Sequence, residues 1–328
     1  VNVLARPFRA AGSADRGKAL VVHAGPGWLD PIERGDHEFF VKTFRHATAK
    51  GIPSRVVSAE GTASRMLLEQ DHIHLMVGCP PGYGPGQLHV HPAHVWGFWY
   101  LDELGTGWNS SLRFARFCEQ EVDAGNAEYF FNGVTGYMLR ENVSNRTQEP
   151  RVPGGLKPAA ATVFCQPETT GPGRSHYLTA EAMIRIAATT CAEERIYVKP
   201  HPDQSKQDRK ALFEIAADYR NVTVTVASVH DLSAASRMVV TQNSSAGFEA
   251  LMQRKCVITC GKSDYWHATL TPRRENDLRD ALLYGSEEMN GFPYEKYLYW
   301  FLGQSCLEPA KDNFTRRAWT RIRDKVFL

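Results

Sequence analysis

The chain has 328 residues, 43% of them hydrophobic and 23% charged, which excludes a disordered polypeptide and suggests two domains of ordinary size. Its 38 basic and 36 acidic residues leave a net charge of +2, so composition makes no case for a nucleic-acid partner. Seven cysteines without a CxxC pair, most of them in apolar runs, fit a reducing cytoplasmic compartment, and no apolar run approaches the ~18 residues of a membrane span. The start, Val1 to Arg6, is not a secretory signal; lacking a Met, the chain reads as a piece of a longer, multidomain protein.

Residues 1–17 are basic and irregular. Lys18 to Ala24 is a buried strand followed by Gly25-Pro26-Gly27, and Glu38 to Lys50 is a helix with Phe39, Phe40, Phe44 and Ala47 on one side. A strand at Ser54–Ser58, a short helix at Ala63–Glu69 and a strand at His72–Val77 complete a βαβαβ alternation, the pattern of a doubly wound α/β domain. The Gly- and Pro-dense stretch Gly78–Gly86 forces a loop, and Gln87 to Leu101 then alternates histidines and aromatics. This run reads either as a core strand or as the wall of a pocket. Leu112–Glu121 and Asn126–Glu141 are expected helices, and the Pro- and Gly-rich Asn142–Pro158 a linker, so the domains are placed at 1–150 and 151–328.

The second half restarts the alternation. It has strands at Ala161–Gln166, Arg195–Lys199 and Val222–Val226, helices at Thr179–Cys191, Lys206–Tyr219 and His230–Ser236, and a loop at Pro167–Arg174. Met238–Thr241 is a strand covered on both faces; Asn243, Ser244 and Ser245 supply N-cap chemistry for a buried helix, Ser245–Arg254; Cys256–Cys260 is a further strand. Three helical stretches close the chain. A hydroxyl-fronted helix start after a parallel strand suits an anion, although such a turn also serves merely as a cap. In Lys199-Pro200-His201-Pro202 the prolines stiffen the backbone around an imidazole at a strand's carboxyl end, where open α/β sheets bind ligands. The two motifs together point to a phosphate or carboxylate.

Val198 to Asp203, then Ser244 to Leu251, then Val257 and Gly261 resemble the capsule polysaccharide biosynthesis family, transferases of 3-deoxy-D-manno-octulosonic acid (Kdo) that use CMP-Kdo. The resemblance covers mainly residues 160–275, with an echo in Asp102–Gly105 and Trp108–Ser111. It implies a GT-B-like fold, two Rossmann-type doubly wound domains facing a central cleft, with the nucleotide in the C-terminal half and the acceptor facing the N-terminal half. It also implies a cytoplasmic enzyme with a polysaccharide or glycolipid (lipopolysaccharide) acceptor and no cofactor beyond the CMP-sugar substrate. Carried over, His201 contacts the donor's phosphate or carboxylate; Ser244 and Ser245, with Asn243 and Gly247, hold the CMP phosphate; Glu249 reaches ribose hydroxyls or is a plain helix-face carboxylate; Lys199 adds charge.

Retaining transfer by double displacement needs a carboxylate nucleophile and an acid/base group. Glu168 is the candidate nucleophile, although the family usually carries Asp there in a different pattern. Glu103 is the candidate acid/base, with Asp102 the alternative; a pocket walled by Trp96, Trp99 and Trp108 would favour its neutral form. Trp108, Asn109 and Ser110 are expected to shape the acceptor site, and Arg174, Arg273 and Arg274 to meet the donor's carboxylate. His89, His91 and His94 invite a metal, but no partnering carboxylate spacing accompanies them, and none is expected. The basic helix from Arg316 to Lys325, with Trp319 and Ile322, is either a solvated face or a peripheral contact with the inner membrane. Rival readings are a sialyl- or other nucleotide-sugar transferase, a UDP-sugar 2-epimerase, and a non-catalytic polysaccharide-binding module.

Overall fold

The computed structural model describes residues 18–168, 171 and 173–326. The expectation for residues 1–17 lies outside the described residues, as do three positions of the expected 167–174 loop. In chain order the elements are β1 (Leu20–Ala24), α1 (Leu29–Arg34), α2 (Glu38–Ala49), β2 (Ser54–Ser58), α3 (Thr62–Leu68), β3 (Ile73–Val77), β4 (Gln87–Pro92) and β5 (Trp99–Asp102). Next come α4 (Ala124–Arg140), β6 (Ala159–Phe164), α5 (Ala180–Thr190), β7 (Ile196–Lys199), α6 (Lys206–Ala217), β8 (Val222–Val224), α7 (Val229–Ala235) and β9 (Ser236–Thr241). The chain closes with α8 (Ser245–Leu251), β10 (Cys256–Thr259), α9 (Glu275–Glu288), α10 (Tyr294–Leu298) and α11 (Phe314–Val326).

These elements fall into two compact units. The first holds the described residues of Val1–Ala93, Gly97–Ser111 and Cys306–Leu328. Its sheet runs β2-β1-β3-β4-β5, parallel except for the antiparallel β4–β5 hairpin, so the His- and aromatic-rich run is sheet rather than a departure from it. Trp99, Tyr100 and Leu101 are core residues, and Trp99 stacks on Phe39 at 5.2 Å. Leu307 exchanges backbone hydrogen bonds with Trp99 (2.8 and 2.9 Å), which brings the C-terminal segment to this unit. Phe314, Ala318 and Ile322 of α11 then join Phe39 and Phe40 in one apolar cluster. The apolar stripe of this basic helix thereby packs into the protein's own core. Gly25 is required where β1 and β3 end side by side: a Cβ there would lie 2.3 Å from the carbonyl oxygen of Gly78.

The second unit, His94–Trp96 with Leu112–Ser305, holds an all-parallel sheet in the order β10-β9-β6-β7-β8. Strand order reverses between β6 and β9, which makes that pair the topological switch point. The strands are apolar runs because helices cover both faces, and Val163, Val198, Val240 and Ile258 are wholly buried. By this grouping residues 112–150, assigned by sequence to the N-terminal half, cluster with the second sheet, and 306–326 with the first.

One expected helix is absent. Leu112–Glu121 forms two short 3₁₀ turns (Ser111–Phe114 and Glu119–Glu121). The carbonyls of Arg113 and Ala115 accept from the Trp266 indole (3.0 Å) and the His267 ring (2.7 Å) instead of from a following helical turn.

Candidate functional site

The carboxyl ends of β6, β7, β9 and β10 present loops, and side-chain hydrogen bonds, most of them to backbone groups, tie these loops together. Gln166, two residues beyond β6, donates to Oδ1 of Asn243 (2.7 Å) and accepts from its N–H (3.3 Å). Asn243 in turn donates to the carbonyl of Lys262 beyond β10 (2.8 Å). Gln204 donates to the carbonyl of Gln166 (3.4 Å) and accepts from the N–H of His201 (2.8 Å). The His201 loop and the Asn243–Ser245 turn are therefore linked through Gln204 and Gln166 beside the switch point.

His201 is half-buried, and its Nδ1 accepts the N–H of Asp203 at 3.1 Å. Burial holds its pKa below the usual histidine range; the Asp203 charge opposes this, and Arg146 and Arg209 reinforce it. The ring is thus neutral, with its proton on Nε2, and offers a hydrogen bond rather than a positive charge. Ser244 caps α8, accepting from the N–H of Ala246 at 3.2 Å. Oγ of Ser245 lies 3.1 Å from Nδ1 of His94, whose Nε2 lies 2.8 Å from Asp264. Glu168 accepts from the N–H of Ala180, at the start of α5, and from the Gln242 amide (2.8 Å), while its other oxygen lies 3.9 Å from His176. Arg174 is exposed and braces the 176–177 backbone through two hydrogen bonds of 2.8 Å.

The remaining expected donor residues face the protein. Lys199 donates to the carbonyls of Val226 (2.8 Å) and Ala227 (2.6 Å), which fastens the loop between β8 and α7, and burial lowers its pKa. At Gly247 a Cβ would come 2.8 Å from Thr241 and 2.9 Å from the Tyr265 hydroxyl, so its role is close helix packing. Glu249 is buried, its Oε1 accepting from Ser144 (2.8 Å), and burial pushes its pKa up to about 8. That carboxyl is turned into the protein, away from solvent.

The residues expected to supply acid/base and acceptor functions lie in the first unit. Asp102 is buried and accepts from the N–H groups of Leu104, Gly105 and Ser111 and from the Ser111 hydroxyl (2.6 Å), so its carboxylate organises a loop. Glu103 pairs with Lys325. Its burial alone would raise the pKa, but hydrogen bonding to Lys325 and the Lys325 and Arg321 charges outweigh this and hold it low. That is the reverse of the neutral carboxyl a general acid needs. Of the aromatic side chains expected to wall a pocket around it, Trp99 is a core residue. Ser110 is wholly buried, out of an acceptor's reach, whereas Trp108 and Asn109 are half-buried.

Sequence reasoning missed Gln166, His176, Gln204 and Asp264, and weighed His94 only as a metal ligand. Reading every loop at the carboxyl ends of the parallel strands would have found the first four. His94 carries no such signal, because its neighbours come from distant parts of the chain. Among the described residues, no group of three or more His, Cys, Asp or Glu is placed to hold a metal ion, and no helix is long and apolar enough to cross a membrane.

Residues 170–283 match the family model for "Capsule polysaccharide biosynthesis protein". A search of the curated proteins finds no match. Among solved structures, the chain is similar to the beta Kdo 2,7 transferase of Thermosulfurimonas dismutans KpsC, at 16% identity over 81% of this chain and 90% of that one, with a TM-score of 0.51. The beta Kdo 2,4 transferase of the same KpsC follows at 15% identity, 82% and 91% coverage and 0.49. A Methanocaldococcus jannaschii UDP-GlcNAc 2-epimerase follows at 10%, 93% and 99% coverage and 0.39. At such identities the first likeness speaks for the two-domain, GT-B-like α/β fold alone, and the other two carry no argument. The span that matches the capsule polysaccharide biosynthesis model, residues 170–283, contains His201 and the Asn243–Ser245 turn.

Proposed function

We propose that the protein is a glycosyltransferase of capsule polysaccharide assembly that moves Kdo, or a related 2-keto-3-deoxy sugar acid, from its CMP-activated form to a polysaccharide or glycolipid acceptor in the cytoplasm. The observation that carries this reading is the link between the His201 loop and the Asn243–Ser245 turn beside the switch point, through Gln166 and Gln204. A donor of this kind carries a phosphate and a carboxylate. A neutral imidazole N–H, serine hydroxyls and an exposed guanidinium at Arg174 are matching donors of hydrogen bonds. The family match covers the β7 and β9 ends of this edge, with His201 and Asn243–Ser245, and supports the same class of reaction.

In this reading Glu168 is the nucleophile of a retaining double displacement. Its carboxylate is fixed through Oε1 by Ala180 and Gln242, which leaves Oε2 to attack the anomeric carbon as CMP departs. The acceptor hydroxyl then displaces the carboxylate. The acid/base partner is not assigned to Asp102 or Glu103.

The test is binding and turnover by the full chain. CMP is expected to raise the melting temperature more than UDP or GDP, by mass action, and CMP-Kdo is expected to release CMP when a glycan acceptor is present. E168Q is expected to lose transfer by about a thousandfold or more while binding CMP within a few-fold of the native protein. A protein that neither binds CMP nor turns over CMP-Kdo with any acceptor rejects the proposal; full activity in E168Q rejects only the nucleophile.

A further inference from the structure

The amino edge of the second sheet, at the other end of its strands from the His201 loop, carries a cavity of about 700 Å³, the size of a small-ligand site. Four cationic side chains from four neighbouring strands line it. Lys255 stands directly before β10, Arg237 lies in β9, Lys157 stands two residues before β6, and Arg195 directly before β7. The register puts three of them in one row. Cys256 is level with Met238, Met238 with Ala161, and Ala161 with Ile196, so Lys255, Arg237 and Arg195, each one step earlier, are level too. With strands about 4.8 Å apart, the row runs about 14 Å from β10 to β7.

Two carboxylates, Glu193 and Glu194, also line the cavity, which leaves an excess of two positive charges. Glu194 is spent on Arg237, which it meets at both terminal nitrogens (2.7 and 2.9 Å). Glu193 and Lys157 are exposed and have no polar partner among the described residues. Arg195 uses one of its five N–H donors on the Thr223 hydroxyl, at 3.0 Å. Lys255 is half-buried and donates to the Ala234 carbonyl in the last turn of α7 (3.1 Å). Burial lowers its pKa, and no carboxylate opposes the fall. An ammonium drawn out of water without a counter-charge costs free energy, which an anion beside it offsets. Helix ends account for part of this pattern, since their carbonyls favour cations at this edge. At the end of α5, however, the Asn221 amide takes the carbonyls of Ala188 (3.1 Å) and Cys191 (3.0 Å), so Lys157 and Arg195 are not needed there.

We infer that this amino edge binds a small polyanion, a molecule with two or more phosphate or carboxylate groups, across Lys255, Arg195 and Lys157. A lone oxyanion satisfies one end of so long a row, whereas two groups on one molecule reach cations on different strands. The Arg237–Glu194 pair is neutral as a unit, and Glu193 is the one charge that opposes the ligand. The site is separate from the edge assigned to the sugar donor and does not rest on that assignment.

The experiment is calorimetric titration of the full chain with pyrophosphate, with citrate and with inorganic phosphate. Pyrophosphate or citrate is expected to bind about tenfold tighter than inorganic phosphate, because the second group binds intramolecularly. Preference for pyrophosphate assigns phosphate groups to the ligand, and preference for citrate assigns carboxylates. K255Q and R195Q are each expected to weaken binding about tenfold, the loss of one charge-assisted contact, and K255R to retain it. H201A, altered at the other end of the strands, is expected to bind as the native protein does. Brief amine acylation of the native protein, mapped by peptide mass, is a second readout that needs no variant: the bound polyanion is expected to protect Lys255 and Lys157. Native protein that binds neither polyanion, or binds one without protecting Lys255, overturns the inference. So does binding that survives K255Q and R195Q but is lost in H201A, which would put the anion at the carboxyl edge. Polyanion binding by a protein that fails to bind CMP upholds this site and counts only against the proposed donor.

Discussion

The carboxyl of Glu249 sits on the inner face of α8, 2% exposed, with Oε1 on Ser144 and a buried Oε2 that has no hydrogen-bond partner among the described residues. Burial favours its neutral form, so the folded chain binds this proton up to about pH 8, whereas the unfolded chain releases it near 4.5. The stabilisation is therefore whole below pH 4.5 and is lost as pH rises toward 8. E249Q escapes this loss and keeps the hydrogen bond to Ser144. It is expected to melt higher than the native protein at pH 8, by an amount worth about 3 kcal/mol near neutrality, with a far smaller gain at pH 5. Thermal melts at the two pH values check the sign. The residue type and its place on the helix were legible in the sequence. Its surroundings were not, because Ser144 is 105 positions away.

Between elements, a buried network joins β1, α3 and β3: His23 bonds Ser64 (2.7 Å) and His74 (2.9 Å), and His74 reaches the Gln70 carbonyl (3.1 Å). Burial first, and the neighbouring His74 second, lower the His23 pKa to about 4. Here the unfolded chain binds the proton more readily. The contribution is whole above pH 6.5 and is lost as pH falls toward 4, about 3 kcal/mol in all. Urea titrations across that window are expected to show the loss, and H23Q to flatten it. At the junction of β9, α8 and β10, G247A is expected to cost about 1–3 kcal/mol, because its new Cβ presses on Thr241 and the Tyr265 hydroxyl. Denaturant midpoints with an unchanged m-value would confirm a local packing effect. Most strands and helices were readable from apolar periodicity within a few residues of their ends. The 112–121 stretch was misread because Trp266 and His267, more than 150 positions away, take its carbonyls.

At the scale of the whole molecule each unit has an apolar cluster of its own, and α11 belongs to that of the first. F314A removes a wholly buried ring from that cluster and is expected to destabilise the first unit by about 3–5 kcal/mol. CMP affinity, carried in the proposed reading by the second unit, is expected to be unchanged in this variant at temperatures where it remains folded. Unchanged stability would show that α11 contributes little to the core.

Taken alone, the sequence determined the doubly wound α/β class, the strand-end positions of His201 and Ser244–Ser245, and the resemblance to capsule polysaccharide biosynthesis proteins. Each of these is written in short-range pattern: strand and helix periods, proline-fixed backbone, capping hydroxyls. Only the tertiary structure decided which carboxylates are open and which are spent. Asp102 is consumed by its own loop and Glu103 by Lys325; Glu249 is turned inward, and His94 is brought against Ser245 and Asp264. The reason is that burial and pairing set the protonation and availability of an ionisable group, and both depend on partners that chain order does not place side by side.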